Sequence, residues 1–234
     1  MRSDGVVHPA WQELGDLVVP RACGGCGAPG HRWCPGCTDE LAAAVHPGCV
    51  VGHLGGVPVW AGGDYRGALR ALVRGYKDGG RRDLRPVLAQ VAVDPLRAAL
   101  AAVTAEGGGP AGERPVLVVP APSRARTRRA RGDDPVSDLA RAAVARLGDE
   151  GVQVRLVLRT RGVARDQSGL SRTERRRNLA GRVGVRDGVT LPRGAAVLLL
   201  DDVVTTGATL AACRDALRQT GVHRIGAVCC ARVP

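Results

Sequence analysis

Phenylalanine is absent from this 234-residue chain, and methionine and lysine occur once each. The aromatic set is Trp11, Trp33, Trp60, Tyr65 and Tyr76. So few rings argue against a stacking platform for single-stranded bases, which needs several of them exposed. No window approaches 18 uninterrupted apolar residues, so no membrane span is expected. No apolar segment of signal-peptide type follows Met1-Arg2-Ser3-Asp4-Gly5, and the expected compartment is the cytoplasm. Acidic residues are outnumbered: 22 Asp and Glu stand against 34 Lys and Arg, for a net charge of +12. That balance favours anionic partners such as nucleic acid or phosphorylated small molecules. The single lysine, Lys77, among many arginines reads as the habit of a GC-rich genome. The positive sign still needs a cause.

What is present describes a globular chain, 44% hydrophobic and 24% charged. Its length suits one domain of ordinary size plus a small appendage. Five of the eight cysteines lie between residues 23 and 49. Cys23-Gly-Gly-Cys26 and Cys34-Pro-Gly-Cys37 are two C-x-x-C knuckles separated by seven residues. Together they offer four thiolates, enough for a closed structural Zn site. His31 could replace one thiolate, and Cys49 is a weaker fifth candidate. Cys213, Cys229 and Cys230 fall in helix and strand patterns and read as small buried hydrophobes.

Along the chain, residues 1–22 form an amphipathic lead-in with Trp11, Leu14 and Leu17 at helical spacing. Leu69, Leu72, Val73 and Tyr76 predict a helix over 65–76. A second helix covers about 83–103, with an interruption before Pro95. After a glycine-rich connection the pattern changes. Strands are expected at 115–119, 152–158, 195–200 and 225–231, and helices at 135–147 and 207–219. Alternation of this kind means parallel β-α-β units. The expected fold class is therefore α/β, a parallel sheet preceded by a small cysteine zinc finger. The expected division is residues 1–55 for the zinc-finger region and 56–234 for the sheet domain.

The informative stretch runs from Val197 to Leu210. A buried strand delivers Asp201 and Asp202 to its carboxyl edge, where ligands of open α/β sheets bind. The turn Thr205-Thr206-Gly207-Ala208-Thr209 then offers hydroxyls and backbone N–H groups at a helix start, where phosphate is favoured. Adjacent carboxylates suit neighbouring ribose hydroxyls, or a divalent cation. The combination describes a site for a sugar with a terminal phosphate. Adjacent Asp residues at a buried strand end have no packing rationale.

This stretch resembles the 5-phosphoribosyl-1-pyrophosphate (PRPP) loop of type I phosphoribosyltransferases. The resemblance implies that Asp201 and Asp202 hold the ribose hydroxyls, and that Thr205, Thr206, Gly207, Ala208 and Thr209 cradle the 5-phosphate, with Mg²⁺ accompanying PRPP. Purine-salvage members usually carry an Asp at the position of Thr205; here the residue is Thr, as in the orotate type.

Two arginine-rich segments flank this core. Arg124, Arg126, Arg128, Arg129 and Arg131 fall within eight residues just beyond a strand. Arginine neutralises phosphate oxygens in bidentate fashion, as a pyrophosphate leaving group requires. The second segment, residues 155–186, holds ten arginines and two acids. It reads as a lid over the reacting centre, as an arm contacting nucleic-acid phosphates, or as a solvated loop.

In order and spacing the segments resemble the ComF family of competence proteins and their GntX-like relatives. The carriers are the knuckles, Gly75-Tyr76-Lys77 with Gly79, Val119-Pro120-Ala121-Pro122, Arg131-Gly132, Gln167 with Leu170, Arg175 and Asn178, and Asp201-Asp202. Asp133-Asp134 stands where that family has Phe-Asn, and Tyr76-Lys77 reverses the usual order. The resemblance covers nearly the whole chain. It implies a phosphoribosyltransferase of the glycosyltransferase class acting on an acceptor it does not name. Arg161, Gln167, Arg175 and Asn178 would close the site, Arg124, Arg126 and Arg131 would bind the leaving group, and Lys77 would be a further PRPP-binding residue. It implies structural Zn at Cys23, Cys26, Cys34 and Cys37. The alternative is an accessory protein of DNA uptake, with single-stranded DNA or the competence machinery as partner and no catalysis. A homo-oligomer is compatible with either.

Overall fold

The computed structural model describes residues 22–46, 48–105, 115–122, 134–161 and 183–234. Helix α1 (Pro35–Ala44) follows the knuckles. A hairpin of β1 (Val50–Leu54) and β2 (Val57–Ala61) leads to α2 (Gly67–Lys77), a 3-10 turn (Arg82–Leu84) and the long α3 (Arg85–Ala105). Then come β3 (Val116–Pro120), α4 (Pro135–Leu147), β4 (Val152–Val154), β5 (Leu158–Thr160) and β6 (Val183–Val185). The chain ends in β7 (Ala196–Val204), α5 (Ala208–Arg218) and β8 (Ile225–Arg232).

Six strands form one sheet in the order β1-β2-β8-β7-β3-β4. All neighbours are parallel except β1 and β2. The expected α/β class and mostly parallel sheet are what the chain forms. The strand β7 lies in the middle, and residues 196–200 are fully buried there, as an apolar run covered on both faces must be. Successive side chains alternate between faces. Leu198 and Leu200 join the cluster under α2, α3 and α4, while Val197 and Leu199 join the cluster under α5 and β5–β6.

Three elements depart from the pattern reading. Helix α3 runs unbroken through Pro95. Leu88, Ala92, Leu96, Ala99 and Val103 form a continuous buried stripe at three- and four-residue spacing, and its burial outweighs the roughly 3 kcal/mol that an interior proline costs. By length and composition this helix could cross a membrane, but half of its most apolar window is buried inside the fold. The expected strand 152–158 is two strands. Arg155 N–H still donates to the Val118 carbonyl at 3.0 Å, and Val157 N–H turns back to Arg155. The chain thereby leaves the large sheet and pairs β5 with β6 in a separate antiparallel ribbon. The hairpin β1–β2 has no counterpart in the pattern reading at all.

Candidate functional site

Four sulfurs gather at the N-terminal end of the described chain. The Sγ atoms of Cys23, Cys26, Cys34 and Cys37 lie within 4.8 Å of one another. The Sγ atoms of Cys26 and Cys34 are 3.6 Å apart. A tetrahedral Zn with Zn–S bonds of about 2.3 Å needs sulfurs about 3.8 Å apart, so the donor set fits a metal such as zinc. This is the one such cluster among the described residues, and neither His31 nor Cys49 belongs to it. The glycines make it possible. A Cβ on Gly25 would sit 2.5 Å from the Cys37 sulfur, and Gly27 takes φ +80°. Burial pushes the Cys23 thiol up, but N–H groups of Cys26, Cys34 and Gly25 overcome this and hold it at about 6. Burial, and then the neighbouring sulfurs, raise Cys37.

The cysteine unit is tied to the sheet domain. Leu41 of α1 lies in the main core. Glu40 Oε1 accepts the Ala68 N–H at 2.9 Å and so caps the start of α2. At the far end of α2 stands Lys77. Its Nζ donates to Asp202 Oδ1 at 2.7 Å. The Asp202 side chain is 3% exposed and that of Lys77 46%. The only lysine of the chain therefore meets one of the two adjacent acids, across 125 residues of sequence. Burial pulls the Lys77 ammonium down, but the carboxylates of Asp202 and Asp201 outweigh it and raise its pKa.

The strand pleat separates the two acids. Asp202 shares the face of Leu198 and Leu200, towards α2. Asp201 shares the face of Val197 and Leu199, towards Cys213 and Cys229, and its register partner on β8 is Cys229. Each carboxylate hooks back to the chain: Asp201 Oδ1 accepts the Asp202 N–H at 2.9 Å, and Asp202 Oδ1 the Val203 N–H at 2.7 Å. Although part of Asp201 reaches solvent, protein surrounds its carboxyl. Burial and then the Asp202 charge push it up to about 7, against the pull of Lys77. Cys213, Cys229 and Cys230 are fully buried.

After β7 the chain makes its turn. Thr205 and Thr206 are exposed, Gly207 is buried at φ +69°, and α5 begins at Ala208. The Ala208 N–H donates to Thr206 Oγ1 at 3.4 Å, so one hydroxyl serves the helix start. The start of α5 thus follows three residues after the strand that carries Asp201 and Asp202. On the ribbon, Arg161 lies across Gly184, where any Cβ would collide with its guanidinium. Arg124, Arg126, Arg131, Gln167, Arg175 and Asn178 lie outside the described residues. Among the predicted site residues, Lys77, Asp201, Asp202 and the turn 205–209 come together at one strand end.

Residues 139–234, from within α4 to the chain end, match the family model for the phosphoribosyl transferase domain. It is this C-terminal part of the chain that is similar to a phosphoribosyltransferase domain. That match contains Asp201, Asp202 and the whole turn, while Lys77 and the cysteine cluster precede it. Among solved structures the chain is similar to a hypoxanthine phosphoribosyltransferase from Staphylococcus aureus, at 12% identity and TM-score 0.34. It is also similar to an asparagine mutant from an analysis of an invariant aspartic acid in HPRTs, at 20% identity and TM-score 0.31. The alignments cover 61% of this chain and 61% of the first, and 62% of this chain and 62% of the second. No curated protein matches the chain.

Proposed function

We infer that the protein binds PRPP and transfers its phosphoribosyl group to an acceptor, as a member of the ComF type with a structural zinc unit. The observation that carries this reading is the strand end where Asp201, Asp202, the Lys77 ammonium and the N–H-rich turn converge inside and beside the phosphoribosyltransferase domain. In this chemistry the bond from C1 to the pyrophosphate oxygen breaks. Pyrophosphate leaves with the electron pair while a nucleophile enters at C1. The turn 205–209 holds the 5-phosphate through N–H groups at the start of α5. The carboxylates of Asp201 and Asp202 take the ribose hydroxyls, in charge-assisted bonds. Mg²⁺ bound with PRPP supplies charge neutralisation for the pyrophosphate; hard oxygen donors such as these carboxylates suit it.

Lys77 has three donors on a compact ammonium. The ammonium meets Asp202 and, being half-exposed, also brings its positive charge to leaving-group oxygens. Lys77→Gln is therefore expected to weaken PRPP about ten- to a hundredfold and ribose 5-phosphate much less. Calorimetric titration of both ligands into the full chain reads the difference. Equal losses would leave Lys77 a structural partner of Asp202.

One observation supports the accessory reading as well. Arg66 at the N-cap and Arg70, Arg74 and Lys77 along α2 follow one another at three- and four-residue spacing, and all four are exposed. With a rise of about 1.5 Å per residue they stand roughly 6 Å apart along the axis, a ridge of positive charge leading to Asp202. If single-stranded DNA lies on it, Arg70→Gln with Arg74→Gln should flatten the slope of log affinity against log salt by about 1.4. An unchanged slope would remove the ridge from that reading.

A further inference from the structure

The tip of the β1–β2 hairpin lies against the phosphate turn, and phosphoribosyl chemistry gives it no role. Between Val203 and Thr209 the one buried residue is Gly207. Leu54, the last residue of β1, covers it: a Cβ on Gly207 would overlap the Leu54 side chain. Gly207 also sits in the left-handed region, at φ +69°, as the N-cap of α5. The turn thus excludes a Cβ both for conformation and for space. Within it, the Ala208 N–H makes a long contact to Thr206 Oγ1 at 3.4 Å, and the Ala211 N–H donates to the Gly207 carbonyl at 2.8 Å.

The hairpin is itself strapped in place. Arg214 of α5 donates through Nη1 to the Leu54 carbonyl at 2.6 Å. Its Nε and Nη2 hold Asp215 Oδ1 at 2.8 and 2.6 Å. The side chain is only 14% exposed, far more covered than an arginine of a solvent-facing helix needs to be. At Gly55, φ +56°, any Cβ would collide with the same guanidinium. Two glycines and a largely covered arginine therefore bring the hairpin tip, α5 and the turn into one packed unit.

We propose that the hairpin tip is a clamp on the phosphate turn, with Leu54 and Arg214 as positioning residues that set affinity for the sugar 5-phosphate without touching it. This rests on the reading that the turn takes that phosphate. A turn that keeps Gly207 under Leu54 presents its N–H groups already aimed. One released from the hairpin must be ordered at the moment of binding, which lowers affinity.

The test is titration of ribose 5-phosphate, and separately of inorganic pyrophosphate, into the full chain and its variants. Leu54→Ala and Arg214→Gln should each weaken ribose 5-phosphate about tenfold, the scale of a small misplacement, and move pyrophosphate less than about twofold. Leu54→Met should restore most of the loss. Unchanged ribose 5-phosphate binding in folded variants overturns the clamp. So do equal losses for both ligands with no rescue by Leu54→Met. If the unmodified protein binds neither ribose 5-phosphate nor PRPP, the phosphoribosyl reading itself falls, and the clamp with it.

Discussion

Asp201→Asn is expected to make the protein more stable at neutral pH while weakening PRPP binding ten- to a hundredfold. The two effects have separate causes. In the folded chain burial, and the Asp202 charge beside it, hold the Asp201 carboxyl at about 7. An unfolded Asp titrates near 3.9. Between those values the folded state binds more protons than the unfolded one, so stability falls as pH rises from about 4 towards 7. Asn carries no such liability. The gain at pH 8 should be on the order of 2 kcal/mol, discounted because Asp201 keeps an opening to solvent. That amounts to several degrees in Tm for a chain of this length. Asp202→Asn should behave differently, because its carboxylate holds Lys77 at 2.7 Å. Loss of that ion pair should cost about 1 kcal/mol, limited because a half-exposed ammonium can rehydrate. Thermal unfolding of both variants between pH 4 and 8 reads this contrast. If Asp201→Asn destabilises across that range, the carboxylate supports the fold.

Metal removal is expected to have the second large effect, and to reach beyond the cysteine cluster. One Zn per chain, bound by Cys23, Cys26, Cys34 and Cys37, should be found by elemental analysis of protein with reduced thiols. Chelation should lower stability by several kcal/mol, since binding energy at such a site is folding energy. The large sheet should stay folded, because the faces of β7 and β8 towards α5 pack in a cluster to which the cysteine unit contributes nothing. Helix α2 should not be spared. Its Ala68 N–H is capped by Glu40 of α1, and its last residue is Lys77. Chelation should therefore weaken PRPP binding roughly five- to tenfold. Retention of full PRPP affinity by metal-free protein would break this line from α1 through α2 to Asp202.

The parts of the site that lie close in sequence were legible without coordinates. Val197–Leu210 states a buried strand, two acids and a Gly-containing turn before a helix, because each of those uses a different and local residue chemistry. The two cysteine knuckles were legible for the same reason. What the sequence hides is which distant residues meet. The Lys77–Asp202 pair joins α2 to β7, and helical spacing in α2 says which face Lys77 occupies but not what stands opposite. The divergence of Asp201 and Asp202 follows from the strand period, yet it needs the knowledge that β7 continues to Val204, well past the apolar run. The clamp was the least legible. Gly55-Gly56 between two strand-like runs is a hairpin signal, but Leu54 and Arg214 are 160 residues apart. Neither carries a motif. Pro95 misled in the opposite direction, because a local breaker was outweighed by a buried stripe spanning about four turns of α3.

Titration of PRPP with Mg²⁺ into the full-length protein, followed by calorimetry, tests the central claim most directly. The account predicts saturable binding at one site per chain, weakened at least about tenfold in Asp202→Asn. Absence of heat and of saturation with the unmodified protein, folded and carrying its metal, would contradict it.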